Sequence, residues 1–484
     1  MLSKTLKPLA WLACTLFAHQ AAASGYHFGT QSVSAQSTAN ANGAEASDAT
    51  TLFYNPAGLN KLEQHEVSAA LNVVMPHIHY FDAQAQHING KPVNGSRSGK
   101  ITVAAAVAPH LYGAYKINDR LSVGVGVYTP FASGTKYDKD SVLRYNMNKL
   151  GLTTIAVEPA LAFRAGDKHS FGVGLIAQHS DAELRKFADW NATGAFDNAI
   201  KAAERNPNAQ THGKTDGYAE VKGKDWGFGY HLGWLFDINE RARVGVNYRS
   251  HVSHTLKGKA KWHYDTDNAA SVFNNHNPVP VAAGVNLPLS AVAKKAVADN
   301  GYVPEENASV KIVTPESLSV HGMYQASDKV DVFGDITWTR HSRFKTATLK
   351  FENAKKIGGG GTADHTHLSP NWRDTFKVAL GASYQVSEPL QLRAGVAFDQ
   401  SPVRSAESRL NTLPDGNRIW WSAGVKYNLG KQHVFDVAYS HIHINDTAMN
   451  APRASGRDVD SKGASSAKFK NYANILGAQY TFKF

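Results

Sequence analysis

From residue 66 onward the dominant pattern along the chain is alternation with period two. In "YANILGAQYTFKF", residues 472–484, Tyr472, Leu476, Ala478, Tyr480, Phe482 and Phe484 fall on one face, against Ala473, Gly477, Gln479, Thr481 and Lys483 on the other. "IWWSAGVKYNL" divides the same way, with Ile419, Trp421, Ala423, Val425, Tyr427 and Leu429 opposite Trp420, Ser422, Gly424, Lys426 and Asn428. Successive side chains of a strand point to opposite faces, so each stretch reads as a strand with one apolar face and one small or polar face. The same reading predicts about fourteen strands, near 64–76, 100–117, 120–131, 150–166, 168–187, 219–237, 240–262, 309–327, 329–351, 371–386, 389–402, 415–429, 432–446 and 468–484. Many exceed the usual length of about five or six residues in soluble sheets.

The connections alternate in length. Tight turns are predicted at Ile117-Asn118-Asp119, Gly166-Asp167-Lys168, Ile238-Asn239-Glu240, Ser327-Asp328-Lys329, Ser387-Glu388-Pro389 and Gly430-Lys431, and long polar loops lie between them, the longest around 188–218 and 263–308. Short turns on one side, long loops on the other, an even strand count and outward aromatics describe an all-β, transmembrane antiparallel β-barrel. In a bilayer the sheet must close, because an open edge leaves backbone donors and acceptors without water. A large soluble β-sandwich is the alternative that single strands do not exclude. Both long loops contain helical stretches: Ala195, Phe196, Ala199, Ile200 and Ala203 gather on one face of the first, Leu289, Val292, Ala293 and Ala296 on one face of the second. Such faces could form a landing site for greasy ligands or pack on each other as a lid.

The front of the chain lacks the alternation. Lys4 and Lys7 precede an apolar run from Leu9 to Ala18 and the small residues Ala21-Ala22-Ala23-Ser24, which reads as a signal peptide over 1–23, too short to span a bilayer. The lone cysteine, Cys14, raises a lipoprotein reading, against which Trp11 stands three residues before it; without the leader the chain has no disulfide staples. No stretch of about twenty apolar residues predicts a membrane helix. Residues 24–63 carry Leu52, Phe53, Tyr54 and Leu59 around an Asn55-Pro56-Ala57-Gly58 break that a helix interior or central strand does not tolerate. A barrel of this width is too wide for small side chains to fill, so its lumen holds water, a ligand or a plug. The expected organisation is therefore a hatch over 24–63 inside a barrel over 64–484, with a free periplasmic extension as the alternative.

Charge narrows the partners. The formal balance is +11, from 51 Lys and Arg against 40 Asp and Glu, and for an exported chain this points to outer-membrane lipid and lipopolysaccharide rather than nucleic acid.

Together, "SGYHFG", "ASDATTLFYNPAGL", "VGVGVYTPFAS", "RVGVNYRSHVSHTLKGKA", "LRAGVAFDQSPV" and "PDGNRIWWSAGVKY", in this order and spacing, resemble the FadL/TodX transporters, which carry long-chain fatty acids and other hydrophobic compounds across bacterial outer membranes. The resemblance implies a fourteen-stranded barrel with Asn55, Pro56 and Ala57 in the hatch motif, Tyr26 as the N-terminal aromatic near a ligand site, a kink in the third strand that opens the wall sideways, and a low-affinity groove among the loops. It also implies insertion by the barrel assembly machinery. Pro130, followed by Phe131, is the kink candidate in its own right, because it lacks a ladder donor in a glycine-weakened strand; it could also simply end that strand.

An amphipathic acid needs an apolar slot and a few fixed polar groups, since burying an unpaired carboxylate is costly. Alternation sends Asn247, Arg249 and His251 inward, and likewise Lys377 and Arg393. The three cations are candidate head-group partners, and pairing with lumen carboxylates such as Glu158, Asp335 and Asp399 is the structural alternative. The histidine pairs 77/79, 365/367 and 441/443 lack the carboxylates or cysteines of a metal site, Gly358–Gly361 lacks the Lys-Ser/Thr of a phosphate loop, and no G-x-S-x-G is present. The expectation is a monomeric transporter, not an enzyme, without cofactor, taking up long-chain fatty acids or similar hydrophobic small molecules. An adhesin working through its long loops is the rival, and a general porin is disfavoured by the plug.

Overall fold

The computed structural model describes residues 28–484 apart from 104, 105, 193, 195, 210 and 212, so the predicted signal peptide and Tyr26 lie outside the described residues. The wall is a closed antiparallel barrel of 14 strands. In chain order they are β1 (Glu66–His87), β2 (Gly99–Ile101 and Ala106–Asn118), β3 (Leu121–Tyr128 and Ala132–Lys136), β4 (Met147–Ala165), β5 (His169–Asp189), β6 (Asp216–Asn239) and β7 (Ala242–Arg249 and Val252–His263). There follow β8 (Glu305–Thr314 and Ser317–Ser327), β9 (Val330–Thr339 and Ala347–Lys356), β10 (Thr362–Leu368 and Thr375–Gln385), β11 (Leu390–Asp399), β12 (Arg418–Leu429), β13 (His433–Ala451) and β14 (Lys462–Lys483). Each pairs with the next, and β1 pairs with β14 from Glu66↔Lys483 to His87↔Lys462, which closes the ring.

Alternation decides which side faces lipid. On β12 and β14, Ile419, Trp421, Val425, Tyr427, Tyr472, Leu476 and Tyr480 are exposed on the outer surface, while Trp420, Ser422, Lys426, Gln479 and Thr481 are buried toward the lumen. All six expected tight turns join strands on one side. On the other side several strands run further than alternation shows: β1 continues to His87, β13 to Ala451, and β14 begins at Lys462. Beyond the bilayer both faces of a strand meet water or loops, so period two no longer marks it. The expected inward position of His251 is also corrected. β7 breaks at Ser250–His251, and the lumen-facing set changes from Gly245, Asn247 and Arg249 to Val252, His254 and Leu256.

Residues 28–62 lie inside the ring, nearly all buried. They form two single turns, α1 (Val33–Gln36) and α2 (Thr51–Tyr54), and a 3-10 turn over Pro56–Lys61. Ser32 caps α1 by accepting from the Ala35 N–H at 3.1 Å, and Asn55 caps the 3-10 turn by accepting from the Ala57 N–H at 3.1 Å. Glycines on the inner wall make room for the hatch. A Cβ on Gly172 would collide with the Pro56-Ala57 backbone, one on Gly233 with Asn55, and one on Gly395 with Thr38.

Outside, α3 (Asp197–Ala203) and α4 (Leu289–Asp299) occupy the two long loops, as expected. Phe196, Ile200, Leu289, Ala293 and Val297 form one buried cluster with Phe273, so these faces pack on each other as a lid. A second cover comes from residues 400–417, which cross the lumen from β11 to the opposite wall. There Tyr137 donates to the Asn411 carbonyl at 2.6 Å, and Asn411 donates to that of Met147 at 2.7 Å.

Candidate functional site

The hatch motif is anchored by one side chain. Asn55 Nδ2 donates to the Trp234 carbonyl at 3.1 Å and that of Val246 at 3.3 Å, and lies 2.9 Å from His321 Nε2. Pro56 opens the 3-10 turn, where its missing N–H costs nothing. Charges and amides hold the rest. Arg243 donates to the carbonyls of Ala44 and Glu45 at 3.1 and 3.0 Å, Lys61 pairs with Asp237, and Gln479 accepts from the Val33 N–H at 2.9 Å.

Two of the three candidate cations are taken up by carboxylates. Arg249 donates to Glu158 at 3.1 Å and to the Tyr128 hydroxyl at 2.7 Å, and lies 4.5 Å over the ring of Phe53 in the hatch. Glu158 also meets His231 Nδ1 at 2.6 Å, so its charge is fully engaged. Arg393 grips Glu45 of the hatch with both guanidinium ends. Lys377 differs. Among the described residues its side chain makes no hydrogen bond or close ion pair, and its ammonium sits 4.6 Å from the ring of Trp420.

Trp420 stands where two environments meet. On one side is a cavity of about 90 Å³ whose lining includes Asn40, Asn247, Arg249, His321, Asp335 and Lys377. On the other is an apolar belt between the inner wall and the hatch, where Phe28, Ala39 and Ala41 of the hatch pack with wall residues such as Ala106, Phe333, Ile442 and Ile475. Above the belt, Phe131 packs with Leu152, Trp372, Val403 and Leu413, the last two from the crossing segment 400–417.

The belt leads to a parted seam. The β2–β3 ladder runs from Asn118↔Leu121 to Leu111↔Val127 and stops. Above the stop, only the Thr102↔Lys136 bridge joins the two strands among the described residues. Each keeps its other neighbour: Ala106 faces Val74 of β1, and Ala132 faces Thr153 of β4. The orphaned carbonyls of the kink are met from the lumen, where the Phe28 N–H donates to Pro130 at 2.9 Å and Gln31 Nε2 to Thr129 at 2.7 Å.

The profile of the outer membrane transport proteins OMPP1/FadL/TodX matches residues 14–484. The chain belongs to this family. An outer-membrane location and a transport class follow from it. A Neisseria meningitidis serogroup B protein, named as an outer membrane protein, is 58% identical over 488 residues and matched along 100% of both chains. The long-chain fatty acid transport protein of Escherichia coli K12 is 27% identical over 464 residues, 93% of this chain and 95% of that one. Among solved structures, a Pseudomonas aeruginosa FadL homologue superposes with a TM-score of 0.79 at 20% identity, covering 95% of this chain and 100% of that one. The Pseudomonas putida toluene transporter TodX gives 0.60 at 16% identity, covering 97% and 100%. At these identities the likeness is one of fold.

Within this FadL/TodX-type barrel, Asn55, Pro56 and Ala57 sit together against β5 and β6, Arg249 and Lys377 share a cavity, Arg393 lies apart on Glu45, and Pro130 and Phe131 occupy the seam. Sequence reading passed over Pro109. It lies on β2 beside the end of the ladder, a residue without a donor, after the small-residue run "AAAVA". Trp420 was seen as inward but not as a partner for Lys377, because pairing across β10 and β12 has no local signal.

Proposed function

We propose that this barrel carries long-chain fatty acids or similar hydrophobic compounds from the loops into the lumen and out sideways through the β2–β3 seam. The observation that carries the reading is Lys377: an ammonium held by no hydrogen bond or close ion pair among the described residues, set on Trp420 in a cavity it shares with Asp335 and Asp399, at the border with an apolar belt. An amphipathic acid placed with its head at Lys377 and its tail along the belt matches both environments. The belt ends at Phe28 and the seam, where Pro130 and Phe131 leave the ladder. The polar lining of the cavity suits a head group and the apolar belt an acyl chain, so the tail takes the belt. Arg249 and Arg393 hold the hatch in place instead of binding ligand.

Replacing Lys377 by alanine tests the reading. A charge-assisted hydrogen bond contributes about 1.5–3 kcal/mol. K377A should therefore weaken binding of a long-chain fatty acid roughly tenfold or more while leaving the alcohol of equal length within about twofold. Equal losses for both ligands, measured by fluorescence displacement on the purified barrel, would assign Lys377 to structure.

A further inference from the structure

The seam contains a polar group that nothing in the wall requires. His110 lies on β2 next to Leu111, the last residue of the β2–β3 ladder. Its neighbour Pro109 offers no donor, and the inward residues that follow on the strand, Ala108 and Ala106, belong to the apolar belt. The imidazole is 3% exposed, and neither Nδ1 nor Nε2 has a hydrogen-bond partner. It stacks on Phe28, ring centroids 6.2 Å apart at 22°. Phe28 is itself tied to the kink through Pro130. Burying an unpaired polar side chain costs free energy, and a leucine would fill this site without that cost.

We propose that His110 is a hydrogen-bonding station in the wall opening, one that favours hydrophobic substrates with a polar head, carboxylic acids and alcohols, over plain hydrocarbons. The inference rests on the sideways exit proposed above. A head group leaving the lumen through the seam enters an apolar passage where its own hydrogen bonds with water are lost. A neutral imidazole has one N–H donor and one bare nitrogen acceptor. It can accept from a carboxyl or alcohol O–H, or donate to a carboxylate, so it offsets part of that loss. Phe28 covers the ring while the kink is held. Movement of Phe28 away from Pro130 uncovers the passage and the ring together, so the station becomes available when the exit does. A hydrocarbon gains nothing from the exposed nitrogens.

The test uses the full-length barrel in the outer membrane of whole cells, with uptake of three probes of equal chain length: a fatty acid, its alcohol and the terminal alkene. His110→Leu should lower uptake of the acid and alcohol about fivefold, the effect of losing one neutral hydrogen bond, and leave alkene uptake unchanged. His110→Gln, which keeps a donor and an acceptor, should recover most of the loss. Equilibrium binding of the acid to purified His110→Leu should stay at the wild-type level, because Lys377 and not His110 holds the resident ligand. Unchanged acid uptake in His110→Leu overturns the proposal, as do equal losses for all three probes or no recovery with glutamine. If the wild-type barrel carries none of the probes, the transport reading fails first. If it carries them and His110→Leu is indistinguishable from it, only the station fails. Wild-type abundance and heat-modifiable migration of both variants exclude misfolding as the cause of an uptake defect.

Discussion

At the scale of single residues, Asn55 does more than its turn requires. It caps the 3-10 turn through Oδ1 and uses Nδ2 on two wall carbonyls, so one amide sets the local backbone and fastens it to β6 and β7. Asn55→Ala removes these bonds together and should cost the docked hatch about 1–3 kcal/mol. Amide exchange within residues 28–62 should speed up by roughly one to two orders of magnitude, while protection in the strands stays unchanged. Protection of the hatch at wild-type levels would show that the motif is not its anchor. The inward direction of Arg249, Lys377 and Arg393 was legible from alternation, and so was the possibility that Glu158 neutralises one of them. Which cation stays free was not legible. Arg393 is matched by Glu45, a residue of the hatch, and no periodicity on the wall reports what the hatch places opposite it.

At the scale of elements, the grip of Arg393 on Glu45 makes docking of the hatch depend on pH. Burial alone would raise the Glu45 pKa, but the charges of Arg393 and Lys426 outweigh it and lower the pKa from 4.5 to about 2. A carboxylate whose pKa is depressed on docking contributes its full stabilisation above its undocked value. That contribution fades as pH falls from 4.5 toward about 2. Leakage of small sugars through reconstituted barrels should therefore rise across this window. Glu45→Gln should leak at neutral pH and lose most of the dependence; a Glu45→Gln barrel as tight as wild type at every pH would remove this contact from the latch. The strands themselves show where alternation suffices as a guide. It located the membrane-facing parts of β12 and β14 and all six tight turns, and it missed the extensions of β1, β13 and β14 outside the bilayer. It also joined both halves of β7 across Ser250, because a one-residue slip preserves strand-like composition while exchanging the faces.

At the scale of the whole molecule, wall and hatch are separable in stability. The ring is closed by β1 on β14, and its strand ladders form without the lumen; only the carbonyls at the Thr129–Pro130 break take donors from the hatch in place of a ladder partner. Deleting residues 28–62 should leave heat-modifiable migration intact and admit small polar solutes through the emptied lumen, measured as liposome swelling; a deleted barrel that stays impermeable would mean that the crossing segment 400–417 seals it alone. The reverse dependence is absolute. The hatch draws its anchors from β6, β7, β11 and β14, and the bond from Val33 to Gln479 spans 446 residues. Synthesis therefore delivers the hatch first, yet its full set of docking sites is complete only when the last strand, which carries Gln479, has been added. The hatch is made before every strand that anchors it, and Leu52, Phe53 and Leu59 gain their buried surroundings only as the wall forms around them. The finished ring is the template on which they come to rest, so any delay in placing β14 lengthens the time that the most adhesive part of the molecule spends exposed in the periplasm.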